Sequence, residues 1–218
     1  MTKLDGAVVL VAGATGGLGS RIAAQLESAG ATVVGASRST GFDLRAPAGN
    51  DAAVASAVAA HGRLDGLVIA TGEVAFGAAS ELLQGTVDEL FSLNTIGPIH
   101  LITAAHAALA ASAAAGNEPF IVTLSGVVAE SPAAGLAAYS ASKAGLAAFV
   151  TAAAREYRRA GIRILDARPG HTGTELSAHP IAGTAPAFGA ALDPDAVAAR
   201  IVRAIADGEK DLPSSAFS

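Results

Sequence analysis

The 218-residue chain contains no cysteine, no tryptophan and one methionine, and only 15 % of its residues are charged. Without cysteine it has no disulfide, no thiolate nucleophile and no cysteine-ligated metal, which suits a cytoplasmic location. Without tryptophan, little intrinsic fluorescence would obscure that of a bound ligand. A formal net charge of −5 argues against a nucleic-acid or anionic-membrane partner. Repeats, charged tails and linkers are also missing, so residues 1–218 are read as one domain. Met1–Gly6 has no charged start, long apolar core or cleavage site of a signal peptide, and none is expected. The longest apolar stretch, Gly97–Ala115, is mostly alanine and contains Pro98, His100 and His106. It is read as a buried or interface helix and not as a membrane span.

What the chain does have is small and apolar residues, with 51 % hydrophobic positions and 25 glycines. Strand-like and helix-like segments alternate throughout. Strands are expected at Ala7–Ala12, Ala31–Ala36, Leu64–Thr71, Phe120–Ser125 and Ile162–Ala167. Helices are expected at Gly17–Ala29, Asp51–His61, Ser80–Leu93 continuing past Gly97-Pro98 to Ala115, Leu136–Arg159, and Asp193–Asp207. Asp193 fits an N-cap and Pro194 the first helical position of the last of these. Repeated βα alternation with fully apolar strands predicts an α/β fold, a Rossmann-type doubly wound parallel sheet with helices on both faces. Thr172–Leu192, rich in Gly, Ala, Pro and Thr, reads as a mobile substrate lid.

Two local patterns carry chemistry. Tyr139 and Lys143 are four residues apart on a predicted helix, so phenol and ammonium project from one face. A cation beside a phenol favours phenolate, drawing its pKa down from about 10. A phenol so tuned passes a proton to or from a carbonyl or alcohol oxygen. The second pattern is the turn Gly13-Ala14-Thr15-Gly16-Gly17-Leu18-Gly19 between the first strand and first helix. Its glycines allow a tight turn and close approach, and the helix end with its free amides suits a pyrophosphate; packing alone is the other reading. At the end of the second strand Ser37-Arg38, followed by Ser39 and Thr40, replaces the acid that would accept from a ribose 2′-hydroxyl. That favours a 2′-phosphate and hence NADP(H), with NAD(H) open; a solvated loop arginine is the bland alternative.

With these pieces in order, the chain resembles the short-chain dehydrogenase/reductase family over nearly its whole length. Gly13, Gly17 and Gly19 match its cofactor turn, with Thr15 and Leu18 beside them, and Tyr139/Lys143 match its Y-x-x-x-K motif. Asn94 matches the catalytic asparagine, Pro169-Gly170-His171-Thr172-Gly173-Thr174 the P-G-x-x-x-T segment near the nicotinamide, and Asp43-Leu44 the acidic position near the adenine. Three departures stand out. The loop Ser39–Phe42 leaves no room for the helix that usually precedes Asp43, so a very short third strand is expected there. The usual N-N-A-G reads Ile69-Ala70-Thr71-Gly72, where Thr71 and Gly72 border the cofactor. The family's catalytic serine belongs at the position Gly126 holds, with Ser125 one residue earlier; a one-residue insertion in Val127–Gly135 would restore Ser125 to that role.

The resemblance implies reversible hydride transfer between a nicotinamide and a ketone, aldehyde or alcohol. Tyr139 would be the acid/base, and Lys143 would lower its pKa and bind the nicotinamide ribose. Ser125 would orient the substrate oxygen, and Asn94 would hold a water leading to solvent. Pro169, Gly170, Thr172 and Thr174 would border the cofactor. No metal is expected: His171, Glu175 and His179 are read as lid residues. The lid's Ala178, Ile181, Ala185, Ala187 and Phe188 suggest a largely apolar substrate wall. A homodimer or homotetramer built on the alanine-rich helices is expected. Two other readings stay open: a nucleotide-binding sensor or scaffold without turnover, and a lyase or epimerase that uses its cofactor transiently.

Overall fold

Short apolar runs with no polar alternation cannot leave a face in water, so they are buried on both sides. The computed structural model, which describes residues 2–217, shows six strands in one parallel sheet, those at its centre buried throughout. They are β1 (Val8–Ala12), β2 (Thr32–Ala36), β3 (Gly66–Ile69), β4 (Phe120–Leu124), β5 (Arg163–Ala167) and β6 (Asp211–Leu212), in the order β2-β1-β3-β4-β5-β6. Six helices connect or flank them: α1 (Gly19–Ser28), α2 (Pro47–His61), α3 (Gln84–Phe91), α4 (Gly97–Ala114), α5 (Ala137–Tyr157) and α6 (Pro194–Asp207).

The sheet separates two apolar layers. On one face Val54 and Ala57 of α2, Leu101 and Leu109 of α4, and Leu146 and Val150 of α5 pack on Leu10, Leu67 and Ile121. On the other, Ile22 and Leu26 of α1 and Ile201 and Ile205 of α6 pack on Val9, Val68 and Val122. The run Gln84–Ala114 is long and apolar enough to cross a membrane, but Leu101, Ile102, Ala105 and Leu109 are spent on the first layer. Strand order reverses between β2-β1 and β1-β3, so a crevice opens where the carboxyl ends of β1 and β3 diverge.

Several boundaries differ from expectation. No strand lies between Ser37 and Pro47 among the described residues: a 3₁₀ turn at Arg38–Thr40 leads through a loop directly to α2, and β2 is the sheet edge. The expected third strand is therefore absent, since so short a loop is used up in descending to α2. That helix starts at Pro47, before Asp51, because a proline that lacks a donor suits the first turn. Between α3 and α4 the backbone passes through a π-helical segment, Ser92–Ile96. Pro98 has no N–H to return to the Asn94 carbonyl four residues back, which favours a break in regular α-helix there. Strand β6 is too short to leave a periodic signal and was not anticipated.

At the amino ends of the strands, Asp65 is 4 % exposed and accepts from the Val8 amide at 2.9 Å, from both sides of the Arg63 guanidinium at 2.8 Å, and from the Ser112 hydroxyl. It ties β1 and α4 to the start of β3. Asp65→Ala would strand the buried Val8 donor and Ser112, so we expect a loss of about 2–3 kcal/mol, read from urea denaturation. An unchanged midpoint would mean that water replaces these bonds without cost.

Candidate active site

The turn after β1 is shaped by contacts that exclude side chains. Gly13 has φ 83°, and a Cβ there would stand 2.9 Å from the Ala70 carbonyl group; one on Gly19 would fall on the Gly13 oxygen. The Gly13 amide donates to Ala36 at 2.8 Å and its oxygen accepts from the Gly16 amide at 2.9 Å. The chain therefore doubles back under the amino end of α1, with Thr15 exposed and Leu18 half-buried beside it. A Cβ on Gly17 would meet the Thr174 side chain at 2.8 Å, so the glycine turn and the segment after β5 touch.

Arg38 closes one end of a cleft of about 620 Å³ that also takes in Gly16, Gly17, Leu18, Thr71, Gly72 and Lys143. Among the described residues Arg38 has no ion-pair partner, whereas Ser37 and Ser39 share a hydroxyl contact of 2.8 Å and Thr40 accepts from the Ser37 amide at 2.9 Å. Asp43 and Leu44 do not line the cleft: the Asp43 carboxylate is turned to Arg45, and Leu44 is 3 % exposed in the core. The Thr71 hydroxyl is buried at the cleft wall with no hydrogen-bond partner among the described residues, a polar group suited to a ribose or amide. The glycine cradle, the unpaired Arg38 and this orphan hydroxyl together fit a dinucleotide.

At the cleft's other end lies the helix pair. Asn94, on the π-helical segment and fully buried, accepts the Glu73 amide at 3.0 Å and donates to the Glu73 carbonyl at 2.9 Å and to the Ser142 hydroxyl at 3.1 Å. Ser142 passes its own proton to the Tyr139 carbonyl at 2.8 Å. The side chain of Asn94 thus staples the loop after β3 to α5. Lys143, 5 % exposed, donates to the Leu124 carbonyl at 2.9 Å. A Cβ on Gly72 would lie 3.2 Å from the Lys143 Nζ and 3.4 Å from the Asn94 Oδ1, so glycine here leaves the ammonium its place.

Tyr139 stands among Val74, Phe76 and Leu136 on one side and Leu90 and Ala138 on the other. Burial pushes its phenol up to about 12. This reverses the direction expected from the sequence, because desolvation of the phenolate outweighs any help from the cation. At neutral pH Tyr139 is therefore held as the neutral phenol. Burial lowers Lys143 to about 8, against the opposing pull of the Asp166 carboxylate.

Ser125 also departs from expectation. It touches the cleft floor, but it is fully buried and its hydroxyl donates to Asp166 at 2.5 Å. In this arrangement its proton is directed at that carboxylate and not into the cleft. Gly126, with φ 73°, begins a new turn and carries no side chain. Beyond it, Pro169 accepts from the Val127 amide at 2.9 Å, Gly170 from the Thr172 hydroxyl at 3.0 Å, and Thr172 from the Thr174 amide at 2.7 Å.

The Thr172–Leu192 segment, read from the sequence as a lid, is joined end to end and tied down at its middle. Thr172 pairs with Leu192, and Ala182 with Ala75, while Ile181 and Phe76 exchange backbone bonds with Val74 and Ala182 at 2.9 Å. His171 stacks on Phe188 with centroids 4.2 Å apart, and Phe188 lies 6.0 Å from Phe76. His179 turns back to the Glu175 carbonyl at 3.1 Å. The aromatic contribution of Phe76 and the buried Asp166 escaped the sequence reading. A lone carboxylate in the apolar strand Ile162–Ala167 was the available signal for the second.

A family model described as short chain dehydrogenase matches residues 39–182. The chain is 32 % identical over 196 residues to an oxidoreductase of Methylorubrum extorquens strain AM1, covering 80 % of this chain and 77 % of that protein. It is 31 % identical over 190 residues to the cyclic-di-GMP-binding biofilm dispersal mediator protein of Escherichia coli K12, covering 81 % and 78 %. A short-chain dehydrogenase structure from Streptomyces avermitilis shares 27 % identity and a TM-score of 0.83 over 97 % of this chain and 90 % of its own. A 3-ketoacyl-(acyl-carrier-protein) reductase from Brucella melitensis, solved with NADH, shares the fold at 23 % identity and a TM-score of 0.85, over 99 % and 100 %.

The gap at Gly72 generates a direct test. Gly72→Ala needs no unusual backbone, so its melting temperature should fall by no more than a few degrees. Its methyl group should nonetheless displace the ammonium and shift the Lys143 side-chain NMR resonance; an unmoved resonance would refute this tight fit.

Proposed function

This chain belongs to the short-chain dehydrogenase family, and we propose that within it the protein is an NADP(H)-preferring oxidoreductase that interconverts a ketone or aldehyde and an alcohol. The observation that carries this reading is the placing of a neutral Tyr139 phenol and a buried Lys143 ammonium in the same cleft as the glycine turn. The bound nicotinamide would supply or accept the hydride. In reduction Tyr139 gives its proton to the carbonyl oxygen as that oxygen gains charge. The Lys143 ammonium stabilises the phenolate left behind and engages the ribose. Asn94 holds the loop after β3 in register with α5. Asn94 would also hold a water linking Lys143 with solvent. Gly13, Gly17 and Gly19 admit the pyrophosphate; Thr71, Pro169, Gly170, Thr172 and Thr174 border the nicotinamide half.

Arg38, without an ion-pair partner among the described residues and beside the Ser37, Ser39 and Thr40 hydroxyls, supports a 2′-phosphate. The wall of Val74, Phe76, Val128, Leu136 and Phe188 supports a carbonyl substrate with an apolar body. We assign the working protein to the cytoplasm as a homodimer or homotetramer packed through α4 and α5.

Titration with NADPH and NADH, followed by nicotinamide fluorescence, tests the cofactor. NADPH should bind more tightly, and Arg38→Ala should weaken it about tenfold or more while changing NADH little. Preference for NADH overturns the assignment of Arg38.

A screen of apolar ketones and aldehydes with NADPH then tests the chemistry. Tyr139→Phe should cut kcat at least about 100-fold. Reduction requires Tyr139 protonated and Lys143 charged. Lys143 loses its proton first as pH rises, so kcat should be level below about 8 and decline above it.

A second reading, a nucleotide-binding protein without turnover, draws support from Ser125, whose proton is already spent on Asp166. The E. coli relative named for cyclic-di-GMP binding points the same way. Carbonyl-dependent NADPH oxidation that vanishes in Tyr139→Phe would exclude it.

A further inference from the structure

Asp166 is a carboxylate at 7 % exposure in a strand otherwise made for the core, and the reaction as drawn does not use it. Its face of β5 is that of Ile164, which packs in the α2/α4/α5 layer. There it accepts the Thr123 hydroxyl at 2.7 Å on one oxygen, and the Ser125 hydroxyl at 2.5 Å and the Arg168 guanidinium at 3.1 Å on the other. Thr123 and Ser125 flank Leu124, and the Leu124 carbonyl is the one that receives the Lys143 ammonium. The carboxylate therefore grips the end of β4 on both sides of the peptide that seats the lysine.

We propose that Asp166 is a positioning residue for Lys143: through Thr123 and Ser125 it fixes the Leu124 carbonyl, and its charge keeps the buried ammonium protonated. Ser125 is thereby assigned a role in holding the lysine's seat and not in holding substrate. Two carboxylates lie near the ammonium's surroundings, Asp166 and Glu73, beside the Tyr139 phenol on α5 and the Asn94 amide on the π-helical segment. Glu73 after β3 pairs through one oxygen with Arg45, which also meets Asp43 and Glu89, and its Oε2 is buried without a partner among the described residues; only Asp166 bonds the two residues that flank the Leu124 carbonyl. Arg168, which shares Asp166, is itself held by Glu130 and by Asp211 at 2.7 Å, so its positive charge is balanced on the far side. The opposing pull of Asp166 on the burial-lowered Lys143 agrees with this arrangement.

The proposal rests on the catalytic reading of Lys143 only for its effect on turnover; the state of the ammonium is measurable without substrate. Lys3, Lys143 and Lys210 are the only lysines, and the other two are exposed, so ¹³Cε-lysine NMR resolves Lys143 in the full-length protein. In Asp166→Asn, which keeps the shape and one acceptor, the Lys143 midpoint should fall by about one pH unit or more. An unchanged midpoint in folded Asp166→Asn overturns the proposal.

Should Asp166→Asn fold too poorly to titrate, the double variant Asp166→Asn/Lys143→Met decides. Lys143→Met should raise the melting temperature more in the Asp166→Asn background than in the native chain. If the two changes are equal, the charges are uncoupled and the proposal fails. The alkaline decline of kcat should move to lower pH together with the midpoint. A shifted midpoint with turnover unaffected would keep the proposal and overturn instead the catalytic role of Lys143.

Discussion

A charged amine at 5 % exposure is the constraint around which the rest of this molecule is arranged. Desolvation works against the ammonium, and a buried cation without partners would neutralise itself or unfold its surroundings. The answer is assembled from the carboxyl ends of neighbouring parallel strands. β4 contributes the Leu124 carbonyl, β5 contributes the Asp166 charge, and Gly72 after β3 contributes empty space. No single segment could do this, because the groups are far apart in sequence and meet only when β3, β4 and β5 lie side by side. The parallel sheet is thus more than a scaffold for α5. Its end is the solvation shell of the lysine that α5 delivers.

The same crowding explains the small residues. At Gly13, Gly19 and Gly72 the atoms that a Cβ would strike belong to the next strand's backbone, to the turn itself, or to the lysine. These approaches let a nucleotide-sized cleft lie directly against the sheet end. They also leave Tyr139 walled by apolar side chains, which is why its phenol is held neutral in spite of a nearby cation.

Much of this was legible in the sequence, and the reason differs from place to place. The long strands and helices show because burial on both faces or on one stripe imposes an apolar pattern. The glycine turn, Tyr139/Lys143, Asn94 and Arg38 show because their side-chain types and spacing have few alternative uses together. Asp43 and Leu44 were placed on the adenine side by pattern alone, and one turns to Arg45 while the other sinks into the core. The direction of the Tyr139 shift could not be read, since it depends on desolvation by Val74, Phe76 and Leu136, which surround it only after folding. Likewise Ser125 was judged by its distance along the chain from Tyr139. Its fate was settled by a carboxylate 41 residues away on the adjoining strand.

Strand β6, two residues long, makes sense in the light of that carboxylate. So short an edge contributes little as sheet. Its backbone accepts the Arg168 amide at Leu212, at 3.0 Å, and its Asp211 side chain holds the Arg168 guanidinium. Arg168 in turn reaches Asp166 and, through Glu130, the turn that follows Gly126. An alternating line of charge therefore runs from the edge strand, through Arg168 and Asp166, towards Lys143. Each member is opposed by a neighbour of the other sign, which is the condition under which buried ions cost least. Asp166 and Asp211 thus hold one guanidinium between β5 and β6, beside the β4 carbonyl that seats Lys143.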